Sequence, residues 1–267
     1  YYGDDWIEAA VAIPRTIPEN TPKSLPTNHT MADREDVAPV VQRVGPTKTI
    51  LIAIPTAKNV EVDTFKSIYD LEVPEGYKTQ FQYFYGYNIE QIRNLIAHWG
   101  ENFDYLFCVD SDIVLPNDTL VKLLAHDKDI VTGVYIQRKP GQQIPEVYFP
   151  TPYGGVTNCK WEDIATPGLY EIAACGFGCV LIKGEVLRGM GYPHFVYKTA
   201  LDHKDTISED VYFCQKARSK GYRIFGDSSI ICDHIGSHTY RPGNTEMPKL
   251  EYDKNQVVQA RLFALAN

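Results

Sequence analysis

The chain has 267 residues, 44% hydrophobic and 22% charged, the make-up of an ordinary globular protein with room for one large or two small domains. A formal net charge of −8 argues against strong attraction to nucleic-acid backbones, leaving nucleic acid as a partner only through a local basic patch. No stretch approaches the roughly 20 apolar residues of a membrane span, and no basic-then-apolar leader opens the chain.

Residues Tyr1 to about Thr47 form a polar segment punctuated by Pro14, Pro18, Pro22, Pro26, Pro39 and Pro46, with little periodicity. This reads as an arm or linker, 1–47, rather than a domain with its own core. The first residue is Tyr1 rather than Met, as expected of a trimmed or excised piece of a larger parent chain. The six cysteines show no paired zinc-like spacing and mostly lie in apolar runs, so we expect reduced thiols and a cytoplasmic location.

Regular structure begins at Lys48–Pro55, a continuous apolar run suited to a central parallel strand. The pattern then predicts a helix over Val62–Leu71 with Phe65, Ile68 and Tyr69 on its apolar face, and a strand over Thr79–Tyr85. Asn88 caps a helix reaching Trp99, with Ile89, Ile92, Leu95 and Ile96 as its stripe. Tyr105–Pro116 follows as a dense strand carrying Asp110 and Asp112. A short helix from Asn117 or Asp118 to Leu124 and a strand over Asp129–Gln137 complete the first half. Strands alternating with helices indicate an α/β sheet of the nucleotide-binding kind, in which ligands sit outside the carboxyl ends of the strands.

The second half is less regular. Lys139–Pro167 carries turns and aromatics, read either as a substrate-facing segment or as a packed surface loop. Tyr170–Lys183 is a strand pair interrupted by Gly176-Phe177-Gly178, glycines that suit close approach to a ligand or a bulge equally. A helix over Glu209–Lys220 ends at Gly221. Short strands are expected at Arg223–Phe225 and Ser229–Cys232, and an amphipathic helix at Leu250–Ala266.

In an extended strand, Asp110 and Asp112 project to the same side, and two close carboxylates are tolerated mainly when a cation sits between them. Hard oxygen ligands suit Mg²⁺ or Mn²⁺, which would also hold a phosphate; two solvated aspartates in a turn would explain the pattern as well. Ser208-Glu209-Asp210 opens a helix, where capping alone accounts for both acids and a general base is the alternative. His234 and His238, at a late strand end, are either metal ligands or structural imidazoles.

Arg93-Asn94, Val109-Asp110-Ser111-Asp112, Gly176–Lys183, Ser208–Cys214 running to Ile224, and His234-Ile235-Gly236 together resemble, in order and spacing, a GT-A glycosyltransferase of the family 2-like, inverting type. The resemblance covers about Thr49 to Tyr240. It implies a mixed α/β sheet flanked by helices, a GT-A domain at 48–245 and a helical tail at 246–267. The implied activity is sugar transfer from a nucleoside-diphosphate sugar, UDP-linked by preference, to a hydroxyl of a glycan, lipid-linked, protein or small-molecule acceptor. Asp110, Asp112 and His234, with His238 as fallback, would hold Mn²⁺ or Mg²⁺. Pro55, Thr56, Arg93, Asp110, Ser111, Gly176, Phe177 and Gly178 would contact the donor. Asp210 would be the base and Glu209 would orient the acceptor. A transferase acting on modified DNA bases, a nucleotidyltransferase, and an inert GT-A binding or assembly module are the alternatives. Self-association is left open.

Overall fold

The computed structural model describes residues 47–57, 59–86, 88–153, 155–199, 206–236 and 239–243. The expected arm up to residue 46, the tail helix and His238 lie outside the described residues. Among the described residues no helix is long and apolar enough to cross a membrane.

In chain order the first half comprises β1 (Lys48–Thr56), α1 (Val62–Tyr69), β2 (Tyr77–Tyr85), α2 (Ile89–Gly100), β3 (Tyr105–Val109), β4 (Ile113–Val114), α3 (Thr119–Ala125) and β5 (Ile130–Val134). The second comprises β6 (Val147–Pro150), β7 (Val156–Asn158), a 3-10 turn (Trp161–Ile164), β8 (Leu169–Ile172), β9 (Ala174–Cys175), β10 (Cys179–Lys183), α4 (Gly184–Met190), α5 (Glu209–Ser219), β11 (Ile224–Ile231), β12 (Asp233–Ile235) and β13 (Thr239–Tyr240).

Seven strands form one mixed sheet in the order β2-β1-β3-β10-β5-β11-β8. β2, β1, β3, β5 and β11 run parallel, while β10 and β8 run against them. Both faces are covered, which explains the unbroken apolar run of β1. Ile50, Ile52 and Ile54 pack on one face with Ile68 of α1 and Leu120 and Leu123 of α3. Leu51 and Ala53 pack on the other with Ile92 and Ile96 of α2, Val186 and Leu187 of α4, and Phe213 of α5.

Three expectations change. The buried face of α1 is Thr64, Ser67 and Ile68, while Phe65 and Tyr69 are 46% and 81% exposed. Ser67 earns its place by bonding: its hydroxyl donates to the Thr64 carbonyl and accepts from the Leu115 amide. Arg223–Phe225 and Ser229–Cys232 are not two strands but one, Ile224–Ile231, which pairs with β5 at Ile224–Asp227 and again at Ile231 across a register shift. The dense strand at Tyr105 stops at Val109, where a tight turn closed by the Ile113 amide on the Asp110 carbonyl reverses the chain.

Topology gathers one edge of the sheet. Parallel β1, β3 and β5 end there at Thr56, Val109 and Val134, so that Asp110 and Tyr135 follow directly. β10 runs the opposite way and so begins there, just after Gly176–Gly178. Two minor sheets frame that edge: β13-β12-β4, which sets His234 opposite Ile113, and β7-β6-β9.

Candidate active site

At this edge lies a cleft of about 470 Å³ lined by residues from both halves of the chain. Of the residues expected to form a site, Pro55, Thr56, Arg93, Asp110, Ser111, Asp112, Gly176, Phe177, Asp210 and His234 all line it. Glu209 and Gly178 do not.

The turn at Asp110-Ser111-Asp112 ends the extended backbone, yet both acids line the same cleft, each with its own arginine. Asp110 Oδ1 accepts from Arg93 Nη2 at 3.0 Å. Asp112 Oδ2 lies 2.8 Å from Arg138 Nη1 and 3.7 Å from His234 Nε2. Burial pushes the Asp112 carboxyl up, but His234 and Arg138 outweigh it and hold the group below its ordinary value.

Arg93 projects from α2, is 5% exposed, and donates from Nε to Glu209 Oε1 at 3.3 Å. Its guanidinium lies 5.2 Å from the centre of the Phe177 ring. Nη1 is buried with no protein partner among the described residues. Burial works against the guanidinium charge, yet the carboxylates of Asp110, Asp210 and Glu209 more than compensate and keep it ionised. Glu209, 7% exposed, is therefore turned onto Arg93 and away from the cleft, rather than facing an acceptor. Its carboxyl is raised by burial and by Asp210, against the pull of Arg93.

Asp210, one residue on, does face the cleft. Its Oδ1 accepts from the Ser208 hydroxyl and from the Val211 amide, the latter at 2.8 Å, and neither bond uses Oδ2. The start of α5 is held by packing: Phe213 stacks on Phe195 at 4.8 Å, and Phe177 meets both edge-on at 5.0 Å. Asn94, the neighbour of Arg93, clamps the backbone of this cluster by accepting from the His194 and Phe195 amides and donating to the Phe195 carbonyl at 2.7 Å.

Gly176 and Phe177 form the floor, with Gly178 packed behind it. The Gly178 amide donates to Tyr135 Oη at 3.1 Å, and a Cβ on Gly178 would meet the Tyr135 ring at 2.8 Å and Ile113 at 2.9 Å. Gly178 thus serves close packing. Because both neighbours are buried, Gly178→Ala is expected to destabilise the fold by about 1–3 kcal/mol; chemical denaturation with unchanged slope checks it.

His234 Nδ1 lies 2.9 Å from the Ile136 carbonyl, which can only accept, so Nδ1 carries a proton and Nε2 is the nitrogen directed at Asp112. Nε2 and the Asp112 oxygen, 3.7 Å apart, are two atoms that a divalent cation could bind once Nε2 is unprotonated. Among the described residues no three His, Cys, Asp or Glu side chains converge as a metal cage. Asp112 and His234 suit a cation whose remaining positions are filled by water and phosphate oxygens, as Mg²⁺-type ions prefer. Burial pushes the Cys108 thiol up to about 12, so the thiol preceding Asp110 in the chain stays protonated and offers no nucleophile.

Sequence reasoning missed Tyr135, Arg138 and Glu146, all in the cleft lining. Tyr135 and Arg138 follow β5, and the rule that ligands gather at carboxyl ends of strands would have found them. Glu146, whose carboxylate accepts from Tyr148 Oη at 2.7 Å, arrives by a hairpin return in which its amide bonds to the Tyr135 carbonyl, and no local signal marks it.

No protein-family model matches the sequence, and no curated protein matches it either. The fold is similar to that of many solved structures, two of which follow. The crystal structure of A197 from STIV aligns over 77% of this chain and 98% of its own, with TM-score 0.50 and 20% identity. The crystal structure of GalNAc-T7 with UDP, GalNAc and Mn²⁺ aligns over 73% of this chain at TM-score 0.50 and 11% identity. The match takes in 44% of GalNAc-T7. With its mixed seven-stranded sheet flanked by helices, the chain has a GT-A-like fold.

Proposed function

We propose that the chain is a metal-dependent glycosyltransferase that moves a sugar from a nucleoside-diphosphate sugar to an acceptor hydroxyl with inversion, within a GT-A domain at 48–245. The observation that carries it is the single cleft that unites Asp112 and His234, Arg93 with Asp110, and Asp210, residues drawn from opposite ends of the chain. The neighbour solved with UDP and Mn²⁺ supports UDP as the first donor to test.

Asp112 and His234 would hold the divalent cation, whose charge stabilises the departing diphosphate when bound. Arg93 offers the unpaired Nη1 to a phosphate oxygen, and Asp110 keeps that guanidinium oriented. Pro55 and Thr56 at the end of β1, with Ser111, border the nucleoside, while Gly176 and Phe177 lie under the sugar. Asp210 Oδ2 takes the acceptor hydroxyl proton as that oxygen bonds to the anomeric carbon and the bond to diphosphate breaks. Attack opposite the leaving group inverts the configuration.

Thermal unfolding with UDP-sugars, with and without Mn²⁺, tests this. Stabilisation of about 2.7 kcal/mol is expected at a hundredfold excess over Kd, and only with metal and nucleotide together. Loss of a neighbour that merely orients a ligand costs about 10–100-fold in metal affinity, so Asp112→Ala is expected to cost at least that. UDP binding indifferent to Mn²⁺ and to this substitution removes the metal from the site. Release of pyrophosphate from a nucleoside triphosphate and a sugar 1-phosphate, with no UDP released from UDP-sugars, identifies a nucleotidyltransferase instead.

A further inference from the structure

The two acids of the Asp-Ser-Asp turn are each neutralised by an arginine, and the two arginines are held differently. Arg93 is buried, bonded to Asp110 and Glu209 and set against Phe177. Arg138 has a half-exposed side chain and stands on the hairpin that leaves β5 and returns through the Ile136–Pro145 bridge. Its protein contacts run through one nitrogen: Nη1 is 2.8 Å from Asp112 Oδ2 and 3.2 Å from the Ile235 carbonyl. The same Asp112 oxygen lies 3.7 Å from His234 Nε2. A carboxylate oxygen and a carbonyl oxygen thus converge on one guanidinium nitrogen, with an imidazole nitrogen near the same carboxylate oxygen.

We infer that Arg138 is a place-holding cation, which neutralises Asp112 in the absence of metal and turns to the donor diphosphate when a divalent cation takes that carboxylate. This rests on the metal and nucleotide-sugar function proposed above. A guanidinium and a divalent cation repel, and Asp112 Oδ2 cannot hold both at bonding distance. Once displaced, the Arg138 charge needs a new anionic partner at the cleft rim, and an arriving diphosphate is one that a guanidinium can grip with two parallel hydrogen bonds. Rotation of a half-exposed side chain suffices. Metal alone must evict Arg138 with nothing to receive it, whereas metal with diphosphate supplies the receiver, so the two ligands bind cooperatively.

Calorimetry and Mn²⁺ spin resonance on wild type, Arg138→Ala and Arg138→Lys test this without turnover. Exposed ion pairs are weak, so Arg138→Ala is expected to bind Mn²⁺ alone only about two- to fivefold more tightly. In saturating Mn²⁺ it is expected to bind UDP about tenfold more weakly, the scale of a lost charge-assisted hydrogen bond. Arg138→Lys keeps the competition with Mn²⁺ but recovers only part of the UDP affinity. Opposite signs for the two ligands are what a merely structural arginine does not produce. An Arg138→Ala protein that binds Mn²⁺ no better, or UDP no worse, than a wild type showing Mn²⁺-dependent UDP binding overturns the inference alone. A wild type with no Mn²⁺-dependent UDP binding overturns the proposed function and the inference with it.

Discussion

Asp210→Asn is expected to lower turnover by about 10²–10⁴-fold, the usual contribution of a general base, while UDP and Mn²⁺ bind as before. The two acids opening α5 divide the work between them. Glu209 is committed to Arg93 inside the protein, whereas Asp210 lines the cleft with Oδ1 fixed by Ser208 and Val211. Asparagine keeps the shape and retains an oxygen that can accept both bonds, so the helix start should be undisturbed. It loses only the ability to take a proton. The check is UDP release under saturating donor, beside calorimetric UDP affinity in Mn²⁺. Turnover near the wild-type rate would remove Asp210 as base, and a parallel loss of UDP affinity would show that it holds the donor instead.

Arg93→Met is expected to cost about 3–5 kcal/mol of stability and, with it, donor binding. Methionine fills much of the volume, but Asp110 and Glu209 lose the cation that pairs them at 3.0 and 3.3 Å, and Phe177 loses the charge above its ring. The loss has a pH signature. The Glu209 carboxyl is already raised from its ordinary 4.5 by burial and by Asp210, against Arg93. Without the guanidinium it rises further and takes up a proton. A carboxyl whose folded pKa exceeds its unfolded value gives its full stability below the unfolded pKa and loses it as pH climbs through the folded one. The deficit against wild type is therefore expected to narrow as pH falls toward about 4.5, and to be largest near neutrality. Denaturant titrations across that range measure it. A deficit that is small and flat with pH would mean that Arg93 contributes little beyond packing.

Some of this was legible from residue order. The carboxyl-end rule, applied to the strand before Asp110, pointed to the end of the sheet where the cleft lies, and the Asn88 cap appeared as expected, with its side chain accepting from the Gln91 amide. The apolar stripe of α1 was misread because Phe65 and Tyr69 are exposed, and periodicity does not say which apolar residues the rest of the protein will cover. The Asp-x-Asp pair sits in a turn rather than on the strand, yet both acids line the same cleft. Alternation holds only while the chain stays extended, and the bond from the Ile113 amide to the Asp110 carbonyl ends the extension.

Local pattern by itself determined that β1, β3 and β10 are buried strands and that α2 and α5 begin at Asn88 and Ser208. Hydrophobic runs, caps and stop signals act over a few residues and can be read from a few residues. Only the tertiary structure decided which charges meet. Arg93 and Glu209 stand 116 residues apart, and Arg138 reaches Asp112 from a hairpin on another strand. The antiparallel insertion of β10 between β3 and β5 sets the glycine floor beneath both acids, and the pairing of β12 with β4 brings His234 to Asp112. Ion pairs and lone-pair contacts need partners within a few ångströms, and strand order, which no short stretch of sequence encodes, selects those partners.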